Sequence, residues 1–137
     1  MSKPLKVLTT GVFDLFHPGH LSLFHLIKTR WPDCHLIVGV NGDRRTHELK
    51  ERVLFTASER AGLIRELSCV DDVVIFEHDT PKQIIFMLQP DIFVKGGDWN
   101  VEELPEYEMC RENGVEVVCM GEKTHNSSDL KRRLASD

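Results

Sequence analysis

Two histidines, His17 and His20, stand three residues apart in the segment Gly11-Val12-Phe13-Asp14-Leu15-Phe16-His17-Pro18-Gly19-His20. On a helix start that spacing turns both rings to one side. A helix start also offers unpaired N–H groups and the positive end of the macrodipole, so two imidazoles there add donors for an anion, above all a phosphate. Gly11 and Gly19 let such an anion approach the backbone closely.

The flanking residues supply that setting. Leu5 to Thr9 reads as a short apolar strand, and Leu21, Leu23, Phe24, Leu26 and Ile27 recur at helical spacing, so the motif occupies a strand-to-helix turn. Strand-like and helix-like segments then alternate to the end. His35 to Val40 is a nearly unbroken apolar run of the kind a strand covered on both faces requires. A polar loop from Asn41 to Arg52 follows. Thr56-Ala57-Ser58-Glu59 has capping-box spacing and opens a helix predicted to run through Leu67. Asp72 to Phe76 is the third strand, and Thr80-Pro81-Lys82-Gln83 combines a capping box with proline at the first helical position of a helix that stops near Gln89-Pro90. Asp91 to Lys95 is the fourth strand, leading into the loop Gly96-Gly97-Asp98-Trp99-Asn100. A helix is predicted from Glu102 to Asn113, ended by Gly114, with Val115 to Cys119 as the fifth strand and a last short helix beginning near Ser127 or Ser128.

This βα alternation predicts a single α/β domain over residues 1–137. Its expected architecture is a Rossmann-like, doubly wound sheet of five parallel strands in the order 3-2-1-4-5. In that order strands one and four are neighbours at the switch point, so the His17–His20 turn and the Lys95-Gly96-Gly97 loop face one crevice.

Composition narrows the partners. A chain of 137 residues with 41% hydrophobic residues can bury one core. Its net charge of −5 argues against sequence-independent binding of nucleic acid, which needs a basic face. Cys34, Cys69, Cys110 and Cys119 show no CxxC spacing, so reduced thiols and no zinc are expected. The opening residues hold no signal-peptide core and no apolar run approaches about 18 residues, so neither secretion nor a membrane span is expected and the cytoplasm is. Walker A, GxGxxG and nucleophile-elbow sequences are all absent.

The decamer ending His17-Pro18-Gly19-His20 resembles the HxGH signature of the cytidylyltransferase-like nucleotidyltransferases. Members of that family transfer a nucleotidyl group from a nucleoside triphosphate to a phosphorylated small molecule and release pyrophosphate. Phe76 to Pro81 and Pro90 to Trp99 resemble the adenylyltransferase domain that activates D-glycero-β-D-manno-heptose 1-phosphate, and these matches are longer than the HxGH one. The resemblance implies catalytic roles for His17, His20 and Lys50. It implies nucleotide contacts from Thr10, Gly11, Phe13, His17, Gly19, His20, Lys95, Gly96, Asp98, Ser127 and Ser128, and acceptor contacts from Asp14, Lys50 and Trp99. Arg60 matches an arginine at a helix start in the same family, with pairing to neighbouring acids as the plain alternative. Magnesium is implied as the counter-ion of the triphosphate rather than as an ion held in a protein cage, and a homodimer is implied as well.

The chemistry suits these residue types. A phosphate monoester has its second pKa near 6, so at neutral pH the acceptor is already an oxyanion. The reaction then asks for charge neutralisation and in-line positioning, which histidine, lysine and helix N–H donors supply. Departures from the family pattern at Pro18, at Glu51 and ahead of Ser127 keep CTP with glycerol 3-phosphate as an alternative to ATP with a sugar 1-phosphate. A nucleotide-binding module without turnover is the alternative of another class.

Overall fold

The computed structural model describes residues 3–43, 54–77 and 80–121. Five parallel strands, β1 (Lys6–Gly11), β2 (His35–Asn41), β3 (Asp72–Phe76), β4 (Ile92–Gly96) and β5 (Glu116–Met120), form one sheet in the order β3-β2-β1-β4-β5. The helices are α1 (Pro18–Arg30), α2 (Ala57–Arg65), α3 (Lys82–Leu88) and α4 (Tyr107–Glu112), with a 3-10 turn at Val101–Glu103.

Alternation along the strands sends side chains into two cores. On one face Val7, Leu36, Val38 and Val94 pack with Phe24 and Ile27 of α1 and Ala61 and Ile64 of α2. On the other, Leu8, Ile37 and Phe93 pack with Ile84 and Ile85 of α3 and Cys110 of α4. At about 1.5–3 kcal/mol per fully buried large aliphatic or aromatic side chain, both faces contribute strongly, which is why the middle of β2 reads as a nearly unbroken apolar run and β4 opens on Ile92, Phe93 and Val94.

The register locates the crevice. β1 pairs with β4 only from Val7↔Ile92 to Thr9↔Val94, while its pairing with β2 continues to Gly11↔Val40. The buried Thr9 hydroxyl donates to Val94 O at 2.8 Å, the last bond before β1 and β4 part. Beyond it Thr10 and Gly11 pair with β2 alone, and Lys95 and Gly96 with β5 alone. The opening lies at the switch point of a doubly wound sheet.

Several expectations differ in detail: β2 runs one residue further, to Asn41, and β4 and β5 each begin and end one residue later than expected. β1 runs two residues past Thr9, to Gly11, and α2 ends at Arg65 rather than Leu67. Pro81 caps α3 instead of opening it: no side-chain capping bond closes the box, and the Thr80 hydroxyl accepts only from Lys82 N, at 3.3 Å. The single helix expected from Glu102 to Asn113 is broken into the 3-10 turn and α4. Pro105 explains the break, since its ring excludes Leu104 from helical geometry and Leu104 sits at ψ 139°. The helix expected near Ser127 lies outside the described residues.

Candidate functional site

The start of α1 is capped by imidazoles. His17 is the N-cap residue, and its Nδ1 accepts the N–H of Gly19 at 3.1 Å. His20 Nδ1 reaches back to accept the N–H of His17 at 3.2 Å. The two rings stack with centroids 3.8 Å apart and planes 22° from parallel. A ring nitrogen that accepts from a backbone N–H carries no proton, so these bonds assign the proton of each neutral ring to Nε2. Burial, with a smaller contribution from His17, lowers the His20 pKa to about 4, so that ring is neutral at physiological pH.

The residues between the histidines follow from this geometry. Pro18 occupies the first helical position, where a missing N–H costs nothing. A Cβ on Gly19 would lie 2.9 Å from Cε1 and 3.0 Å from Nδ1 of His17, so only glycine leaves room for the capping imidazole. Phe13 adopts a left-handed backbone, φ 53°, that costs a non-glycine residue about 1–3 kcal/mol unless its surroundings enforce it. Its buried ring lies over Gly11, where a Cβ would come within 2.9 Å, and meets His20 edge-on with centroids 5.0 Å apart. Phe24 flanks the same ring.

What enforces the strained turn is a polar clasp. Asp14, 1% exposed, takes the N–H of Leu54 at 2.9 Å on Oδ1 and 3.1 Å on Oδ2, and that of Phe55 at 3.0 Å. Arg60, equally buried, donates from one terminal nitrogen to Val12 O at 2.8 Å and Asn41 O at 2.6 Å. Its Nε donates to Phe55 O at 3.1 Å, and its other terminal nitrogen to Asp43 Oδ1 at 3.2 Å. Asp43 Oδ1 also accepts the N–H of Ala57 at 2.7 Å. Asp14 and Arg60 thus lock both sides of Phe13 to the segment entering α2 and to the end of β2. Arg60 as a clasp was missed in the sequence, although a signal existed: with Ala57, Ala61 and Ile64 it falls on the buried stripe of α2, where a charge needs partners.

Across the crevice, β4 delivers Lys95 and Gly96. A Cβ on Gly96 would lie 3.1 Å from Leu23 of α1, and one on Gly121 3.6 Å from the same side chain, so α1 packs against the ends of β4 and β5. Gly97, at φ 108°, turns the chain and donates its N–H to Met120 O at 2.8 Å. Trp99 Nε1 donates to Gly96 O at 2.9 Å, and Lys95 Nζ lies 5.7 Å from the indole centroid. Asp98 is exposed.

The structure therefore gathers Thr10, Gly11, Phe13, His17, Gly19 and His20 at the end of β1, and Lys95, Gly96, Asp98 and Trp99 at the end of its neighbour β4. Lys50, Ser127 and Ser128 lie outside the described residues. Among the described residues no group of three or more His, Cys, Asp or Glu side chains could hold a metal ion, and no helix is long and apolar enough to cross a membrane. A groove of about 500 Å³ runs along the outer flank of α1 past Leu21, His25 and Leu26, and meets the histidine pair only at His17.

The chain is similar to known proteins over most of its length. The chain is 38% identical over 123 residues to the D-beta-D-heptose 1-phosphate adenylyltransferase of Bordetella bronchiseptica, an alignment covering 88% of this chain and 74% of that protein. It is 44% identical over 133 residues to the bifunctional protein HldE of Helicobacter pylori strain Shi470, covering 96% of this chain but 28% of that one. The chain thus spans only about a quarter of the length of the bifunctional relatives it matches. Among solved structures, a lipopolysaccharide core biosynthesis protein from Thermoplasma volcanium superposes with a TM-score of 0.70 at 26% identity, covering 86% of this chain and 97% of that one. The cytidylyltransferase-like family model matches residues 8–132, and the chain belongs to that family.

Proposed function

We propose that the chain is a single nucleotidyltransferase domain that joins the adenylyl group of ATP to a sugar 1-phosphate, D-glycero-β-D-manno-heptose 1-phosphate or a close relative, and releases pyrophosphate. The heptose-specific relatives support the substrate class, and the fixed imidazole pair supports the reaction. An acceptor phosphate oxygen attacks the α-phosphorus as the bond to the β-phosphate oxygen breaks, and pyrophosphate takes the departing charge. His17 and His20, each with Nδ1 engaged by the backbone, offer Nε2–H as a pre-oriented neutral donor to the phosphate oxygens where charge gathers. Because His20 is neutral, its part is hydrogen bonding rather than proton transfer.

The N–H groups opening α1 add to that field, and Lys95 with the Gly96 backbone receives the nucleotide on the β4 side. The Phe13 ring is buried, so its part in ligand contact falls to its backbone. Asp14 holds the turn through Leu54 and Phe55, an indirect service to the acceptor site. Magnesium would arrive with the triphosphate and would offset its charge. The histidine pair presents N–H donors rather than the oxygen ligands that cation demands, so phosphate oxygens and water would hold it. Lys50, Ser127 and Ser128 keep the phosphate-binding roles read from the sequence, and the two phosphorylated substrates make the cytoplasm the place of action.

The test is pyrophosphate release with ATP or CTP against heptose 1-phosphate and glycerol 3-phosphate. Higher kcat/KM for ATP with the heptose is expected. An advantage for CTP with glycerol 3-phosphate would overturn the substrate assignment, and no release with any pair would overturn the reaction.

A further inference from the structure

Glu77 follows β3 directly, one residue beyond the pair Asn41↔Phe76, at the same sheet edge as the histidine turn. Its side chain folds over the end of β2. A Cβ placed on Gly42 would collide with the Glu77 carboxylate, while Gly42 N donates to Phe76 O at 2.7 Å. Gly42 is buried, although Glu77 itself is exposed. The absent side chain at 42 is what lets the carboxylate lie against the strand end. Asp14, Asp43 and Asp71 all spend their carboxylates on backbone N–H groups, whereas Glu77 makes no hydrogen bond or ion pair with any described residue.

Its distance from the reacting centre is set by the sheet. Two strand spacings separate the end of β3 from that of β1, about 10 Å. That is also about one Debye length at 0.1 M salt, so the carboxylate does not strongly repel a phosphate held at the start of α1. The nucleotide lies on the β4 side in the proposed function, which leaves the β2 and β3 side to the sugar of the acceptor and sets Trp99, on the loop after β4, beside the nucleotide rather than the acceptor. An ionised carboxylate only accepts hydrogen bonds, and its two oxygens suit the hydroxyl pairs of a sugar.

We infer that Glu77, seated over Gly42, is a specificity-determining residue that accepts hydrogen bonds from the hydroxyls at the end of the acceptor remote from its phosphate. This rests on the adenylyl-transfer reading above. A sugar-sized acceptor bridges the span from α1 to Glu77, and a three-carbon acceptor does not.

The experiment is steady-state pyrophosphate release by the wild type, Glu77→Gln, Glu77→Ala, Gly42→Ala and the Gly42→Ala/Glu77→Ala double variant. ATP is paired with heptose 1-phosphate or with glycerol 3-phosphate. Glu77→Gln should raise KM for heptose 1-phosphate about tenfold or more, the scale of hydrogen bonds to a charged group, with KM for ATP unchanged. Activity with glycerol 3-phosphate, however weak, should not change. Gly42→Ala displaces a flexible carboxylate rather than removing it, so it should shift the heptose KM in the same direction and add nothing in the Glu77→Ala background. An active wild type whose Glu77→Gln variant keeps its heptose KM would overturn the inference alone. A wild type that releases no pyrophosphate with either acceptor would overturn the reaction, and the inference with it.

Discussion

The β1–α1 turn is tied down by buried polar bonds from Asp14 and Arg60 and by the Phe13 ring, while the loop after β4 lies largely in solvent, with Trp99 bonded to Gly96 O across an exposed surface. In the proposed function the first turn carries the groups that meet developing charge, and preorganisation there is worth more than adaptability. In the proposed function the end of β4 and this loop, with Lys95 and the glycines, receive the nucleotide, where exposed backbone costs little. Buried polar bonds are concentrated at the turn to which the proposed function assigns the chemistry, and the difference can be broken from either side.

Arg60→Met should have the largest effect. It strips donors from three carbonyls and leaves Asp43 without its cation, a loss of about 3–5 kcal/mol that urea unfolding would show. A variant as stable as the wild type would mean that the clasp does not hold the turn. Acid should act on the same region. The folded state keeps His20 neutral down to about pH 4, whereas the unfolded chain takes up that proton near 6.5. Unfolding therefore becomes easier as pH falls through that window, by on the order of 3 kcal/mol at its lower end. Urea midpoints at pH 7 and pH 4.5 should fall further for the wild type than for His20→Gln, and equal falls would contradict the burial of His20.

Gly19→Ala is a finer probe. The added methyl pushes the His17 ring out of place, so kcat should drop on the order of a hundredfold. The thermal midpoint should change little, because alanine favours the helix where glycine does not. Normal turnover would free His17 from its assigned role. On the adaptable side, Lys95→Ala should weaken nucleotide binding by about tenfold with no loss of stability, as nucleotide titration would read. Unchanged affinity would return Lys95 to the surface.

Strand order and the helix-start histidines were legible in the sequence because both depend on local signals: apolar runs punctuated by glycine, and residues three apart at a strand end. The break at Pro105 was signalled by that proline, but the helical spacing around it masked the break. The clasp could not be read in the same way. Asp14 and Arg60 meet partners 19 to 48 residues away, and only the closure of the sheet brings Val12, Asn41 and Leu54 around them. The capping role of the imidazoles was also hidden, since which ring nitrogen faces the backbone follows from rotamer and stacking rather than spacing.

Pyrophosphate release from ATP and heptose 1-phosphate, measured side by side for the wild type, His17→Ala and His20→Ala with each variant confirmed folded, tests the central claim most directly. If the pair donates to charge that develops in the transition state, each variant loses about 10²–10³-fold in kcat while keeping most of its affinity for ATP. A folded variant of either histidine that turns over at the wild-type rate would contradict it.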